Sequence, residues 1–172
     1  VAACCYEIPE RKIKAGIVVE LAPVDIPGNL DGVGLNGRLG WSNYHRFPIT
    51  RTIGVLGSIL YNKYFPSLGV HFQFSAKQDK ELHKAIIKMM GNENGAKEAF
   101  AQGIKGPREE LRIYTDDWGF DLKKIQAKVF LWYGAIDKQV SLNQGRYYNS
   151  QIKDSKLFIK KNWAHLTRYY HE

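Results

Sequence analysis

The chain has 172 residues, 44% of them hydrophobic and 13% aromatic, which is enough for the core of one ordinary domain and excludes overall disorder. Its formal net charge is +8, but the lysines and arginines are scattered, which favours a solvated basic surface over a nucleic-acid site. No apolar run approaches the roughly 18 residues that would cross a bilayer. The only cysteines, Cys4 and Cys5, are adjacent and cannot join distant segments. We therefore expect a cytoplasmic protein with neither a nucleic-acid nor a membrane partner.

The first part of the chain predicts a helix, a strand and a long loop. Residues 1–8 are predicted to finish a buried helix, because the residue before Pro9 avoids helical geometry. Residues 16–22 are apolar and β-branched apart from Glu20, the pattern of a parallel strand that is covered on both faces. The segment from Asp25 to Arg51 is rich in glycine and is predicted to be a loop.

The middle of the chain predicts helices. Residues 49–65 repeat apolar side chains at helical spacing. A capping-box pattern over 75–78 begins a second helix that ends at Gly91. Two shorter helices are predicted at 94–102 and from Pro107 to Thr115. Residues 49–117 are therefore predicted to be a helical insertion.

The last third predicts two parallel strands joined by a helix. Residues 128–133 and 156–160 are apolar strand candidates, and 142–152 lie between them with a helical pattern. The 22 residues that separate the strands are enough for a right-handed crossover, which makes the strands parallel. The fold class is α/β.

An acid and a histidine follow the ends of these two strands, at Asp137 and His165. Parallel strands bring their carboxyl ends to one edge of a sheet, and neighbouring strands lie only about 4.8 Å apart. A carboxylate can then fix the tautomer of a histidine whose other ring nitrogen exchanges a proton with a nucleophile. An aspartate in such a turn is as often a loop cap, and a histidine beside Trp163 is often packed at the surface. Their joint placement favours a functional pair.

Two segments resemble motifs of the α/β-hydrolase family. Residues 130–140 resemble the strand and acid loop W-x-G-x-x-D-x-x-V, which puts the triad acid at Asp137. Residues 162–166 resemble the G-H-L stretch, which puts the triad histidine at His165, with Ala164 in place of the glycine. The resemblance covers nearly all of the chain, most weakly over 25–105. It implies a partial α/β-hydrolase fold with a parallel three-stranded sheet, a core of residues 1–24 and 118–172, and a helical lid of residues 25–117.

The family's nucleophile elbow, G-x-S-x-G, would fall just before Val1. The opening without methionine, inside the tail of a helix, agrees with residues missing upstream. The nearest imitation within the chain is residues 40–44, but Tyr44 stands where a small residue is needed and no apolar strand precedes Ser42. Asp25, which follows the first strand, is a second candidate for the acid.

The resemblance implies hydrolysis of an ester, an amide or a related acyl compound, with His165 as general base and Asp137 orienting it. The nucleophile would come from upstream, so the chain alone is expected to be inactive. The alternative is a catalytically inactive, truncated relative that binds small molecules or another protein. No cofactor or metal is implied, because the five histidines lack ligand spacing.

The predicted lid and the first strand indicate what the protein could bind. Aromatic residues in the lid would line a pocket for a small-molecule substrate with an apolar part, although core packing is their commoner role; these are Trp41, Tyr44, Phe47, Tyr61, Phe65, Phe72 and Phe74. Without an earlier strand beside it, the strand at 16–22 would expose Ile17, Val18 and Val19 as a hydrophobic edge. We expect that edge to pair with a missing N-terminal half or with a second copy.

Overall fold

The structure, a computed structural model, describes residues 1–11, 14–64, 77–82, 100–101 and 103–166, apart from the side chains of 61–63. The helices are α1 (Ala2–Glu7), α2 (Leu35–Arg46), α3 (Ile49–Tyr64), α4 (Lys105–Thr115) and α5 (Leu142–Gln151), and the strands are β1 (Lys14–Val18), β2 (Lys128–Gly134) and β3 (Ser155–Lys160). Short 3-10 turns occupy Pro9–Arg11 and Leu122–Lys124, and residues 77–82 are helical.

The three strands form one parallel sheet in the order β1-β2-β3, as predicted. Leu131 in the central strand lies opposite Ile17 on one side and Leu157 on the other. Because the strands are parallel, all three end at the same edge of the sheet. That edge carries the loops that contain Asp137 and His165.

One face of the sheet is packed more completely than the other. Val129, Leu131 and Tyr133 point to the buried face and are inaccessible to solvent. Trp132 points to the opposite face, where it stacks on Phe158 with ring centroids 5.3 Å apart and is only half-buried. The strand at 16–22 is predicted to be covered on both faces, but in β1 Ile17 is buried whereas Val18 is 49% exposed, so the described residues leave the second face of that strand partly open to solvent.

Helix α5 is fastened to the sheet and to the segment that follows β1. A Cβ atom on Gly145 would lie 2.5 Å from the ring of Tyr133, so the helix approaches the strand through a glycine. The Tyr133 hydroxyl donates to the carbonyl of Glu20, and the Tyr148 hydroxyl donates to the carbonyl of Leu21. These contacts fix the edge of the sheet on which the site is built.

The prediction of a loop from Asp25 to Arg51 is wrong, because helix α2 occupies Leu35–Arg46. Glycines inside a helix each cost roughly 1 kcal/mol relative to alanine, which is why the pattern indicates a loop. Tertiary packing outweighs that cost here. The Trp41 ring packs edge-on against Tyr114 of α4, and Tyr44 lies against α3 where a Cβ atom on Gly54 would come within 2.4 Å of its hydroxyl.

The first strand is shorter and earlier than predicted. It ends at Val18, and Val19 takes a positive φ of 55°, so the chain leaves the sheet there. Ile17 and Val19 are buried, and Val18 alone of the three residues expected at the edge is exposed, at 49%. In the described residues β1 pairs with β2 alone.

The predicted helices at 49–65 and from Pro107 to Thr115 are confirmed, as is the crossover helix at 142–152, which ends at Gln151. Of the helix predicted to run to Gly91, residues 77–82 are helical and the remainder lies outside the described residues. Nearly all of the helix predicted at 94–102 also lies outside them.

Candidate active site

The acid loop follows β2 and is organised by Asp137. Its side chain is fully buried. The Oδ1 atom accepts hydrogen bonds from the backbone N–H of Gln139, at 2.7 Å, and from that of Val140, at 3.0 Å. One carboxylate oxygen is thus used to cap the turn.

The second oxygen of Asp137 meets the histidine. Its Oδ2 atom lies 3.1 Å from Nδ1 of His165, whose side chain is 18% exposed. An ionised carboxylate only accepts hydrogen bonds, so Nδ1 carries the hydrogen in the neutral ring. In that tautomer Nε2 has the lone pair that accepts a proton in acyl-transfer chemistry. The structure brings together the two residues that the sequence singles out.

Backbone contacts fix the separation of the two loops. The N–H of Ile136 donates to the carbonyl of Trp163 at 3.2 Å, and the N–H of Ala135 donates to the carbonyl of Lys160 at 3.0 Å. Gly134 makes this approach feasible, because a Cβ atom there would lie 2.2 Å from the Trp163 carbonyl oxygen. The glycine of the acid-loop motif therefore gives room for the histidine loop, residues 161–166, to reach the acid.

Alanine is accommodated in place of the family's glycine at position 164. Ala164 is 1% exposed, so its methyl group is buried in the loop. Val19 is the only non-glycine residue with a positive φ among those the structure describes, so Ala164 has an ordinary backbone conformation. The departure from the family's motif leaves the histidine within reach of the acid.

Asp79, in the helical segment 77–82, is a site residue that sequence reasoning missed. It is 1% exposed. Its Oδ2 accepts from the backbone N–H of His165 at 3.1 Å, and its Oδ1 accepts from that of Leu166 at 2.6 Å. The contact joins positions 86 and 87 residues apart, and no motif marks it in the sequence.

The other sequence candidates lie elsewhere. Ser42 is exposed in the interior of α2, so it does not stand in a turn between a strand and a helix. Asp25 is exposed and lines a shallow cleft with Trp118, Asp121 and Tyr147. Of the two candidate acids, Asp25 and Asp137, it is Asp137 whose carboxylate contacts the ring of His165.

Of the aromatic residues predicted to line a lid, some are packed against other side chains and some are exposed. Trp41 and Tyr44 pack against each other at 6.1 Å, whereas Phe47 is 49% exposed. Phe65, Phe72, Phe74 and the side chain of Tyr61 lie outside the described residues. A substrate pocket lined by this set stays a prediction.

Two buried phenols lie close to the acid loop. Burial raises the pKa of Tyr133 well above its ordinary value, and the nearby negative charges of Glu20 and Asp137 raise it further. Burial likewise raises the pKa of Tyr148. Both hydroxyls therefore stay protonated and act as hydrogen-bond donors.

In the described ranges, no three His, Cys, Asp or Glu side chains are grouped as metal ligands would be. No helix in those ranges has the length and apolar character needed to cross a bilayer.

Comparison with known proteins supports the fold. No protein-family model matches the chain, and no curated protein sequence matches it. Among solved structures it is similar to MGS-M2, an alpha/beta hydrolase enzyme from a Medee basin deep-sea metagenome library, with 14% sequence identity and a TM-score of 0.60. The match covers 98% of this chain and 55% of that chain. The chain therefore has a partial α/β-hydrolase fold and spans about half the length of the structure it resembles.

Proposed function

We propose that this chain is the C-terminal part of an α/β-hydrolase that cleaves an ester, an amide or a related acyl compound, with His165 as general base and Asp137 as the group that orients it. The observation that carries the proposal is the 3.1 Å contact between His165 Nδ1 and Asp137 Oδ2 at the carboxyl edge of the sheet. Sites in open α/β sheets collect at that edge.

The pair would act through proton transfer at the histidine ring. As a nucleophile attacks the acyl carbon, Nε2 of His165 accepts the nucleophile's proton and later gives it to the leaving group. Water then attacks the acyl intermediate and loses a proton to Nε2; the bond between the acyl carbon and the nucleophile breaks, and Nε2 returns the proton to the nucleophile as the acid product leaves. Throughout, Nδ1–H donates to Asp137, whose negative charge stabilises the imidazolium that forms.

The nucleophile and the oxyanion donors would come from residues that precede Val1. This is supported by the match to only 55% of the similar structure and by the position of Ser42 inside a helix. In the proposed whole molecule the upstream part pairs with the edge of β1 that no described strand occupies, where Val18 is 49% exposed. The substrate is a small molecule with an apolar part, and the adjacency of Cys4 and Cys5, which prevents them from joining distant segments, agrees with the reducing cytoplasm.

The experiment compares two polypeptides, the 172-residue chain and the source gene's product with any residues that precede Val1. Each is assayed with a series of para-nitrophenyl esters of increasing acyl length. We expect turnover by the longer product only, and a loss on the order of a thousandfold or more in kcat for His165→Ala and for Asp137→Asn. Asp117→Asn is the matched control, because exposed Asp117 also caps a turn, accepting from the N–H of Gly119 at 2.9 Å.

The outcomes separate the hypotheses. Turnover that survives His165→Ala would contradict the proposed role of the histidine. Absence of turnover in the longer product, together with retained binding of an ester analogue, would identify the alternative, an inactive relative that binds small molecules. Equal losses for Asp117→Asn and Asp137→Asn would show that turn capping, not the contact with histidine, is what the acid supplies.

A further inference from the structure

Asp79 is the one carboxylate of the helical segment 77–82 that is buried, and both of its oxygens are used on the histidine loop. Each oxygen accepts one of two consecutive backbone N–H groups, those of His165 and Leu166. Glu81, on the same segment, is exposed and forms an ion pair with Lys77 at 3.9 Å. The segment therefore presents one acid to solvent and the other to the site.

The hydrogen bonds of Asp79 offset the energetic cost of burying its carboxylate. A buried carboxylate is costly unless it is paired or hydrogen-bonded, and in the described part of the chain Asp79 forms no ion pair. Two successive N–H groups form a concavity suited to an anion. Hydrogen bonds to a charged acceptor are roughly twice as strong as neutral ones. The two hydrogen bonds from the histidine loop therefore stabilise Asp79 in its buried position.

The loop is held from two sides. From the core, the N–H of Ile136 binds the carbonyl of Trp163, two residues before the histidine. From the insertion, Asp79 binds the N–H of His165 itself. A ring that must stay within hydrogen-bond reach of a carboxylate tolerates displacements of only about 0.5 Å. Release of either side would let the ring leave Asp137.

We infer that Asp79 is a positioning residue that makes the pairing of His165 with Asp137 depend on docking of the insertion. When segment 77–82 lies against the histidine loop, the backbone of His165 is fixed and Nδ1 faces the acid. When the segment moves away, the two N–H groups lose their acceptors and the ring loses its fixed orientation. The inference rests on the proposed function, since it assigns the insertion control over the same acid–histidine pair.

The test uses the 172-residue chain with isotope-labelled histidine and three variants, Asp79→Ala, Asp79→Asn and the control Glu81→Ala. Hydrogen exchange reports the protection of the His165 and Leu166 amides, and nitrogen NMR reports the ring tautomer. For Asp79→Ala we expect exchange at both amides to rise about tenfold or more, since a lost hydrogen bond of about 1.4 kcal/mol is a tenfold change. We also expect the Nδ1–H tautomer to lose its dominance.

In both the exchange rates and the tautomer ratio, Asp79→Asn should fall between wild type and Asp79→Ala. The side-chain amide of asparagine keeps one carbonyl oxygen, which can accept from one of the two N–H groups. Glu81→Ala should behave as wild type in both measurements. If Asp79→Ala does not fold, Asp79→Asn decides. Protection of the His165 and Leu166 amides that equals wild type in Asp79→Asn would overturn the inference. A lowered Tm with an unchanged tautomer would also overturn it, because the role would then be structural only. Neither measurement depends on turnover, so a failure of this inference can be distinguished from a failure of the proposed function.

Discussion

Asp137 binds His165 with one carboxylate oxygen and its own turn with the other. Oδ2 lies 3.1 Å from Nδ1 of the histidine, while Oδ1 accepts from the N–H groups of Gln139 and Val140. The two interpretations of this aspartate from the sequence, a loop cap and a triad acid, are therefore not exclusive. The turn bonds hold the carboxylate rigidly in the orientation that the histidine needs.

This double use predicts different effects for two substitutions at Asp137. Asp137→Ala removes the carboxylate that accepts from two N–H groups, one buried and one partly buried, at a cost of about 1–3 kcal/mol each, so we expect a loss of about 3 kcal/mol in the free energy of unfolding. Asp137→Asn keeps an oxygen for the turn and should lose about 1 kcal/mol. Urea unfolding measures both. A smaller loss for alanine than for asparagine would contradict the described turn.

The close approach of Gly134 to Trp163 predicts opposite effects on stability for alanine substitutions at Gly134 and Gly57. In Gly134→Ala the new Cβ atom would lie 2.2 Å from the carbonyl oxygen of Trp163, so the histidine loop must move. We expect a loss of about 1–3 kcal/mol in stability and loss of the contact between His165 and Asp137. Gly57→Ala in α3 is the control, since no atom beyond its chain neighbours and its own helix backbone lies within 4 Å of the added Cβ, and it should stabilise the chain by about 0.5–1 kcal/mol. Equal effects would contradict the close approach.

The sequence predicted those parts of the fold that depend on local pattern. The strands at 128–134 and 155–160 are short apolar runs joined by a helix of adequate length, and that local arrangement implies their parallel pairing. Asp137 and His165 could be predicted to lie together because both follow strands that end at one edge. In each case neighbouring residues carry the signal.

What could not be predicted depends on distant partners. Helix α2 contains glycines that argue against a helix, and it forms because Trp41 and Tyr44 pack on other helices. Asp79 reaches a loop 86 residues further along the chain, and nothing beside it in the sequence distinguishes it from exposed Glu81. Val19 turns out of the sheet although its side chain is typical of strands.

The buried phenols predict sensitivity to alkaline pH. Burial raises the pKa of both Tyr133 and Tyr148, so each stays protonated in the fold while the unfolded chain ionises above about pH 10. The stability that they contribute is present below that pH and is lost as the pH rises, by about 1.4 kcal/mol per pH unit for each tyrosine. Tyr133→Phe removes one of the two ionisations. Denaturant unfolding at pH 8 to 11 measures the slopes.

At neutral pH, Tyr133→Phe should be about 1 kcal/mol less stable than wild type, because the Glu20 carbonyl loses its donor. Above pH 10 that deficit should shrink. Val129→Ala is the control, since it destabilises the buried face without removing a titrating group, and its deficit relative to wild type should not depend on pH. A deficit of Tyr133→Phe that grows at high pH would contradict the assignment.

The contacts of Arg51 predict how helices α2 and α3 are held against the end of α4. Its guanidinium donates to the carboxylate of Asp116 and to the carbonyl of Tyr44, and its side chain is 7% exposed. Arg51→Ala should cost about 1–3 kcal/mol and speed proteolytic cleavage in the connection between α2 and α3. Exposed Arg38 in α2 supplies the control variant, Arg38→Ala, which should change neither quantity. Similar cleavage rates for both variants would exclude the anchoring role.

Nitrogen NMR on histidine-labelled protein, at a pH where the ring is neutral, shows directly which ring nitrogen of His165 carries the hydrogen. If Asp137 orients the ring, the hydrogen lies on Nδ1 in wild type, donated to Asp137, and Asp137→Ala loses that preference. A ring with its hydrogen on Nε2, or a tautomer ratio unchanged in Asp137→Ala, would contradict the pairing on which the proposed function rests.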